Sequence, residues 1–350
     1  MVYFLRLITW TRRSPRAGLL LVASMVLTAV LGNAACFYVF DGPANPELSW
    51  GDALWYSVIS ITTIGYGDYS AQSIGARVGT LVFIVFLGLT AFTLLLGILA
   101  DGITNFIQKG QHGMATIVHK NHVLIVNFPS SPRVRQLVRE IGSDPRGQGL
   151  EIVLVTDVLE TLPFDVPRVS FVNGSPLEEE TYQRANLAAA RIALVLAPDY
   201  HDSKSDAVVA SIVSFIESVR PGVHTVAECL DEKHQILFRG SGCDAIVCGP
   251  QISSNLLTQE MHDPGVARTM GVITSNLVKP TLFSTQVSDE TERDYVSLAK
   301  AWLDRDVNIL SVVRGPETYT VFGGLKPVRG DRVVYVAAQS HDWAGLKSLA

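Results

Sequence analysis

The residues Thr62-Thr63-Ile64-Gly65-Tyr66-Gly67-Asp68 carry the chemistry most directly readable in this 350-residue chain. Glycines at alternate positions let the backbone reach dihedrals that side-chained residues resist, so successive carbonyls can face one axis. The carbonyls of Thr63, Ile64, Gly65 and Tyr66, with the Thr63 hydroxyl, can then stack as oxygen rings that replace water around a potassium ion, and Gly67 completes the alternation. Four chains must share that axis. A glycine-rich turn in an ordinary loop has similar local composition, but it does not lie between two long apolar segments, directly after a short aromatic-rich helix.

Those flanking segments are what must position the motif. Ala17 to Phe40 contains no charge, nor does Val78 to Ala100, and each is long enough to cross roughly 30 Å of hydrocarbon as a helix. We place membrane spans at 17–40 and 74–107, a pore helix at 50–62 and the filter at 63–67. Ser49, with Asp52 three positions on, predicts a capped start for the pore helix, whose C-terminal partial negative charge would favour a cation on the ion path. The second span should run roughly 50 Å at 1.5 Å per residue and project beyond the bilayer core.

Arg6, Arg12, Arg13 and Arg16 precede the first span unopposed by any acid, whereas the stretch between the spans holds Asp41, Glu47, Asp52 and Asp68 with no basic residue before Arg77. The asymmetry predicts a multi-pass protein of the cell (inner) membrane, with both termini cytoplasmic and residues 1–16 forming a cytoplasmic segment. The first ten residues suit either an interfacial helix or a frayed terminus. A cleaved signal peptide fits poorly, because the apolar run exceeds an ordinary h-region and the pore needs its outer helix.

The net charge of -5 and the lack of a Lys/Arg-rich run argue against nucleic acid as a partner. Cys36, Cys229, Cys243 and Cys248 lack the two-residue spacing that clips zinc and read as reduced structural thiols. Asp101 is the single charge between Arg77 and Lys109. Four copies would form an anionic ring at the inner mouth, although one aspartate reaching the interface explains it equally well.

With these residues in hand, the N-terminal part resembles a two-transmembrane potassium channel. Trp55-Tyr56, eight residues before Thr63, matches the aromatic pair such pores place around the filter, and the resemblance implies a hydrogen bond from the Trp55 indole to Asp68. Gly88, in Leu87-Gly88-Leu89, falls near the place where this family bends its inner helix. It is a hinge on that analogy, or a close-packing glycine on general grounds. Several members carry a carboxylate four residues before the filter threonine; this chain has Ile59 there, so gating that depends on such an acid does not carry over.

Past a linker at 108–119, short apolar runs alternate with amphipathic segments. Strands are predicted at His122 to Asn127, Glu151 to Thr156, Arg168 to Val172, Arg191 to Ala197, His224 to Leu230 and Asp244 to Cys248. Helices are predicted at Ser131 to Ile141, Leu177 to Leu187, Ser205 to Val219 and Asp231 to Gly240. The alternation implies a parallel, doubly wound α/β sheet. Residues 120–262 resemble the regulator of potassium conductance (RCK) module, a Rossmann-like lobe with its crossover helix. The resemblance rests on Val172-Asn173-Gly174-Ser175-Pro176, Ala185-Asn186-Leu187 and Ala189-Ala190-Arg191. Residues 277–350 are similar to its small α+β C-terminal lobe, with strands near Val307 to Val313, Tyr319 to Phe322 and Arg332 to Ala338, and Gly330-Asp331 before the last.

The regulatory ligand is not legible; nucleotide and cation both remain open. The first turn reads Asn127-Phe128-Pro129-Ser130-Ser131-Pro132, without the glycines that admit pyrophosphate. Ser130 and Ser131 could cap the next helix or meet a phosphate, and Asp157 stands where an acid would bind ribose or simply cap a turn. By resemblance to calcium-gated members, Asp206 and Glu228 fall near a carboxylate cluster, but Leu230 replaces a further acid and calcium wants six to eight oxygens.

The expected assembly is a homotetramer in the lipid bilayer, with additional soluble RCK copies conceivable from a start at Met114. Two alternatives share the α/β half: a membrane-tethered NAD-binding oxidoreductase, and a regulatory subunit of a potassium transporter. Neither needs a filter, no catalytic constellation stands out, and an enzyme is not expected.

Overall fold

The computed structural model describes residues 15–350; the expectation of an interfacial helix over the first ten residues lies outside them. The chain divides into two units, Met1–Lys109 and Gly110–Ala350.

The first unit holds α1 (Pro15–Asp41), α2 (Trp50–Ile61) and all but the last two residues of α3 (Ile74–Gln111). α1 and α3 are long and apolar enough to cross a membrane. Ser49 and Asp52 form the predicted reciprocal cap: the serine hydroxyl accepts from the Asp52 amide at 3.2 Å and the carboxylate accepts from the Ser49 amide at 2.9 Å.

Close helix packing uses the glycines. A Cβ at Gly79 would stand 2.5 Å from that of Cys36 on α1, so only a bare backbone permits the approach. A fully buried amide–hydroxyl pair, Asn33 Nδ2 donating to Ser57 Oγ at 2.8 Å, ties α1 to α2, and Ser57 in turn donates to Ala53 O. Beyond α2, Asp41 accepts from the Gln72 and Ser73 amides, both at 2.8 Å, and so anchors the start of α3 to the end of α1.

α3 departs from the uniform helix that its apolar composition suggests. Thr80–Gly88 is π-helical, and the Leu89 amide donates to Ile84 O, five residues back. Such wide turns loosen the hydrogen-bond ladder and recur where helices bend.

The second unit opens with a six-stranded parallel sheet of order β3-β2-β1-β4-β5-β6. Its strands are β1 (Val123–Val126), β2 (Ile152–Thr156), β3 (Val169–Asn173), β4 (Ile192–Val195), β5 (His224–Cys229) and β6 (Ala245–Cys248). Buried on both faces, β1 and β2 can afford no polar alternation and read as unbroken apolar runs. Helices α4 (Ser131–Ser143), α5 (Glu179–Arg184), α6 (Ser205–Val219) and α7 (Gln235–Gly240) connect them, and α8 (Gly249–His262) and α9 (Val266–Ile273) lead onward. The order reverses between β1 and β4, which makes this the doubly wound, Rossmann-like topology expected from the alternation.

The small lobe is antiparallel, β7-β10-β8-β9, formed by β7 (Thr281–Gln286), β8 (Asn308–Arg314), β9 (Glu317–Tyr319) and β10 (Arg332–Ala337). β7 alternates buried residues with half-buried or exposed ones, as one core-facing side requires, and carries little sequence signal because Thr-Leu-Phe-Ser-Thr-Gln is only weakly apolar. The strand expected at Tyr319 to Phe322 lies earlier, at Glu317–Tyr319, because Glu317, Thr318 and Tyr319 pair with Arg314, Val313 and Val312 across the tight turn at Gly315. α10 (Tyr295–Leu303) and α11 (Trp343–Ser348) cover that sheet, with Trp302 and Trp343 meeting edge to face at 6.2 Å.

One buried titratable group gives the second unit a pH dependence. His122 is fully buried and bonds Ala185 O through Nε2 at 3.0 Å; burial pushes its imidazolium pKa below the ordinary histidine value. The unfolded chain therefore binds a proton that the folded one resists, and stability falls as pH drops below about 6.5, the unfolded value. Acidification from neutral pH should lower the melting temperature of the α/β lobe. His122→Gln, which keeps a nitrogen donor, should flatten that slope; an unchanged slope would remove His122 as its source.

Candidate functional site

The first candidate site is the filter. Ile64 and Gly65 donate their amides to Ile59 O at 3.0 and 3.3 Å, hanging the strand from the end of α2. Thr63, Gly65 and Gly67 have φ of +60°, +55° and +80°, while Ile64 and Tyr66 between them do not. Alternating hand turns successive carbonyls toward one side instead of opposite sides, the arrangement a column of oxygen ligands needs. Thr63 is the instructive member, because only glycine takes this region freely, and a threonine held there is a strained position.

Support comes from behind. Trp55 Nε1 donates to Asp68 Oδ2 at 2.7 Å, and the Trp55 ring stacks on Tyr66 at 6.0 Å with planes 9° apart. Within the chain, the Tyr56 hydroxyl is 3.2 Å from Thr80 Oγ1 and its ring contacts Phe37. The filter residues themselves are exposed on the single chain, Tyr66 by 68%.

Gly88 is buried, and a Cβ there would stand 2.9 Å from both Ile61 Cδ1 and Phe83 O. It therefore packs α3 against the end of α2, and the π-helical stretch that ends at Gly88 is the local weakness in the ladder. Asp101 is exposed on α3.

The second candidate site is the crevice at the C-terminal ends of β1, β4 and β5, where doubly wound sheets take ligands. Glu228, next to last in β5, is satisfied three ways: by Arg133 Nη2 at 3.1 Å, the Ala197 amide at 3.1 Å and the Tyr200 hydroxyl at 2.8 Å. Burial, reinforced by the bond to Glu228, pushes the Tyr200 hydroxyl pKa up to about 12. Asn127 takes the left-handed conformation after β1 at φ +74° and donates Nδ2 to Leu196 O at 2.7 Å. Neither Arg133, Tyr200 nor Asn127 was singled out from sequence. Asn127 alone carried a signal, because asparagine is the non-glycine residue that best tolerates this turn.

The remaining predicted residues separate. Asp206 is fully buried in the first turn of α6. It accepts from the Leu230 amide at 2.7 Å, the Asp231 amide at 2.9 Å and His234 Nδ1 at 2.9 Å, a clamp on the turn after β5. It shares no partner with Glu228. Among the described residues no three His, Cys, Asp or Glu side chains are gathered to hold a metal ion. Asp157 is exposed just past β2. Ser130 makes no side-chain cap, and Ser131 Oγ is buried without a partner among the described residues. The turn offers no glycine and two prolines, so its residues do not fit a pyrophosphate cradle.

Comparison with known proteins adds to this geometry. The family profile described as "Ion channel" matches residues 25–105, and that of the "Calcium-activated potassium channel slowpoke-like RCK domain" matches residues 118–226. The chain is 26% identical to "Ion channel DMI1" of Medicago truncatula over 264 residues, 71% of this chain and 29% of that protein. It is 24% identical to "Calcium-activated potassium channel slo-1" of Caenorhabditis elegans over 296 residues, 78% of this chain and 24% of that protein. It thus spans under a third of the length of these curated relatives. Among solved structures, the "GsuK Channel" matches 95% of this chain and 59% of its own at 19% identity and a TM-score of 0.44.

Proposed function

We propose that this chain, an ion channel domain joined to an RCK domain, works as a homotetrameric potassium-selective channel of the cell membrane, with both termini cytoplasmic. The observation that carries the reading is the alternation of positive φ at Thr63, Gly65 and Gly67 in a strand hung from a capped short helix. Four such strands around one axis would give potassium successive rings of carbonyl oxygen, plus the Thr63 hydroxyl, in place of water. Their exposure on the single chain agrees with a surface completed by other copies.

The protein's own groups have separable tasks in this reading. Trp55 and Asp68 hold the outer part of the filter against the short helix, and the C-terminal dipole of α2 favours a cation on the path. Asp101 from four chains would concentrate cations at the inner mouth. The RCK units would act on α3, which yields at the π-helical stretch ending at Gly88. A regulatory ligand must bind one state of those units better than the other. The crevice around Arg133, Tyr200 and Glu228 is its natural place, with Glu228 already neutralised by Arg133.

The test is flux from the purified protein in liposomes. Potassium should pass at least about a hundredfold faster than sodium, a factor of roughly 2.7 kcal/mol in relative barrier height. Equal permeability to both ions from intact tetramers would overturn the reading.

A further inference from the structure

Residues 108–119 are expected from sequence to be a linker, yet from His112 to Asn121 the chain is hydrogen-bonded along one side of the α/β lobe. His112 Nδ1 lies 3.1 Å from Glu160 O, the Ile117 amide donates to Arg184 O at 2.8 Å, Asn186 Nδ2 donates to His119 O at 2.8 Å, and the Asn121 amide donates to Ala189 O at 2.8 Å. Ile117 is buried in the same core as β1 and α6.

The tightest point is Gly113, two residues past the end of α3. Its carbonyl accepts twice, from the Asn173 amide at 3.0 Å and from Arg184 Nη1 at 3.0 Å, while Arg184 Nη2 donates to Asn173 O at 2.5 Å. One guanidinium thus staples the strap to the end of β3. Nothing larger than glycine fits at residue 113: φ is +65°, and a Cβ would stand 2.4 Å from the Asn173 nitrogen and 2.7 Å from the Phe171 ring. Arginine suits the task because its planar fork reaches two carbonyls at once with little freedom left to lose.

We propose that Arg184 is a positioning residue for gating: by clamping Gly113 O and Asn173 O, it makes the RCK lobe pull on α3 through a taut connection. This rests on the proposed gating of the pore by the RCK units. A spring with slack would dissipate the displacement before it reached the helix, whereas a clamp two residues from the helix end transmits it. The side chain reads the position of β3, an edge strand of the sheet, and of α5, which carries Arg184 itself.

The experiment compares potassium flux in liposomes for the full-length protein, Arg184→Ala, a short glycine insertion between Lys109 and Gly110, and the two combined. Both single changes should shift flux to one common level, differing from wild type by about fivefold or more, the lower end of ordinary coupling between sites. The combination should go no further, since a connection already slack cannot be released twice. Arg184→Lys, which can reach one carbonyl, should fall between. Hydrogen exchange over residues 112–118 should quicken in Arg184→Ala while the melting temperature of assembled tetramers changes little.

If the insertion shifts flux and Arg184→Ala does not, or if the two effects add, the clamp has no role in transmission although RCK gating stands. If the insertion itself leaves flux unchanged, RCK gating fails and the clamp fails with it. Should Arg184→Ala not assemble, Arg184→Gln, which keeps the aliphatic stem, is read on the same scale.

Discussion

On the proposed reading of the chain as a tetrameric potassium channel, Gly65→Ala is expected to reduce potassium flux to the level of empty liposomes while tetramers still form. Gly65 sits at φ +55°, and an L-residue held in that region costs roughly 1–2 kcal/mol. In the proposed tetramer, four copies on one axis would multiply the cost to roughly 4–8 kcal/mol if the native filter is kept. Within the chain there is no clash to blame, because none of its atoms lies within 4 Å of the position a Cβ would take. The backbone therefore relaxes by leaving the left-handed region. That turns one carbonyl per chain off the axis and removes a ring of oxygens from the ion path. Gly97→Ala is the matched control: it lies in α3, has no neighbour within 4 Å of a Cβ and has no positive φ, so alanine suits it at least as well as glycine. Flux retained in Gly65→Ala at wild-type selectivity would mean that the alternating backbone is not the ion-binding element.

Much of this molecule could be read from local chemistry, and the limits have physical causes. The capped short helix was legible because Ser49 and Asp52 act within one turn, and the parallel sheet because buried strands leave unbroken apolar runs. The π-helical stretch was not legible, since after Thr80 the run Leu81 to Gly88 is uniformly apolar and the choice between four- and five-residue hydrogen bonding lies in packing. Gly88 was weighed as hinge or packing glycine, and the proximity of Ile61 that bears on the choice is a tertiary fact.

The crevice illustrates the same limit. Sequence shows Glu228 and Asp206 one by one, but what each does depends on Arg133 and Tyr200, or on the Leu230 and Asp231 amides, groups brought together only by the winding of the sheet. Gly113 looked like a linker glycine for the same reason. Its partners Asn173 and Arg184 lie 60 and more residues away, and local spacing carries no trace of them.

The small lobe offers the second large effect, at Asp331. Its carboxylate is buried, takes both Nε and Nη2 of Arg314 at 2.7 Å, and accepts from the Tyr295 hydroxyl at 2.8 Å and the Val328 amide at 3.0 Å. Burial alone would raise its pKa. The Arg314 fork, the Val328 amide and the Tyr295 hydroxyl outweigh it and hold the pKa below the ordinary aspartate value. The contribution of Asp331 is thus complete above about pH 3.9, the unfolded value, and is lost as pH falls through the lower folded one.

Asp331→Ala removes the acceptor from four donors on three residues at once and leaves the guanidinium without its counter-charge. Breaking a fully buried pair costs about 3–5 kcal/mol; because Arg314 keeps about a third of its side chain in water, we expect about 2–4 kcal/mol here. Hydrogen exchange at β8 and β10 should report the loss as a hundredfold or greater quickening, about 2.7 kcal/mol on the same scale, with the α/β lobe unaffected. Arg314→Met should cost less than Asp331→Ala, because Asp331 would keep the Tyr295 and Val328 donors. Protection within about tenfold of wild type in Asp331→Ala would show that the lobe is held by its Trp302 and Trp343 core rather than by this carboxylate, and a larger loss in Arg314→Met would show that the unpaired buried carboxylate costs more than the unpaired guanidinium.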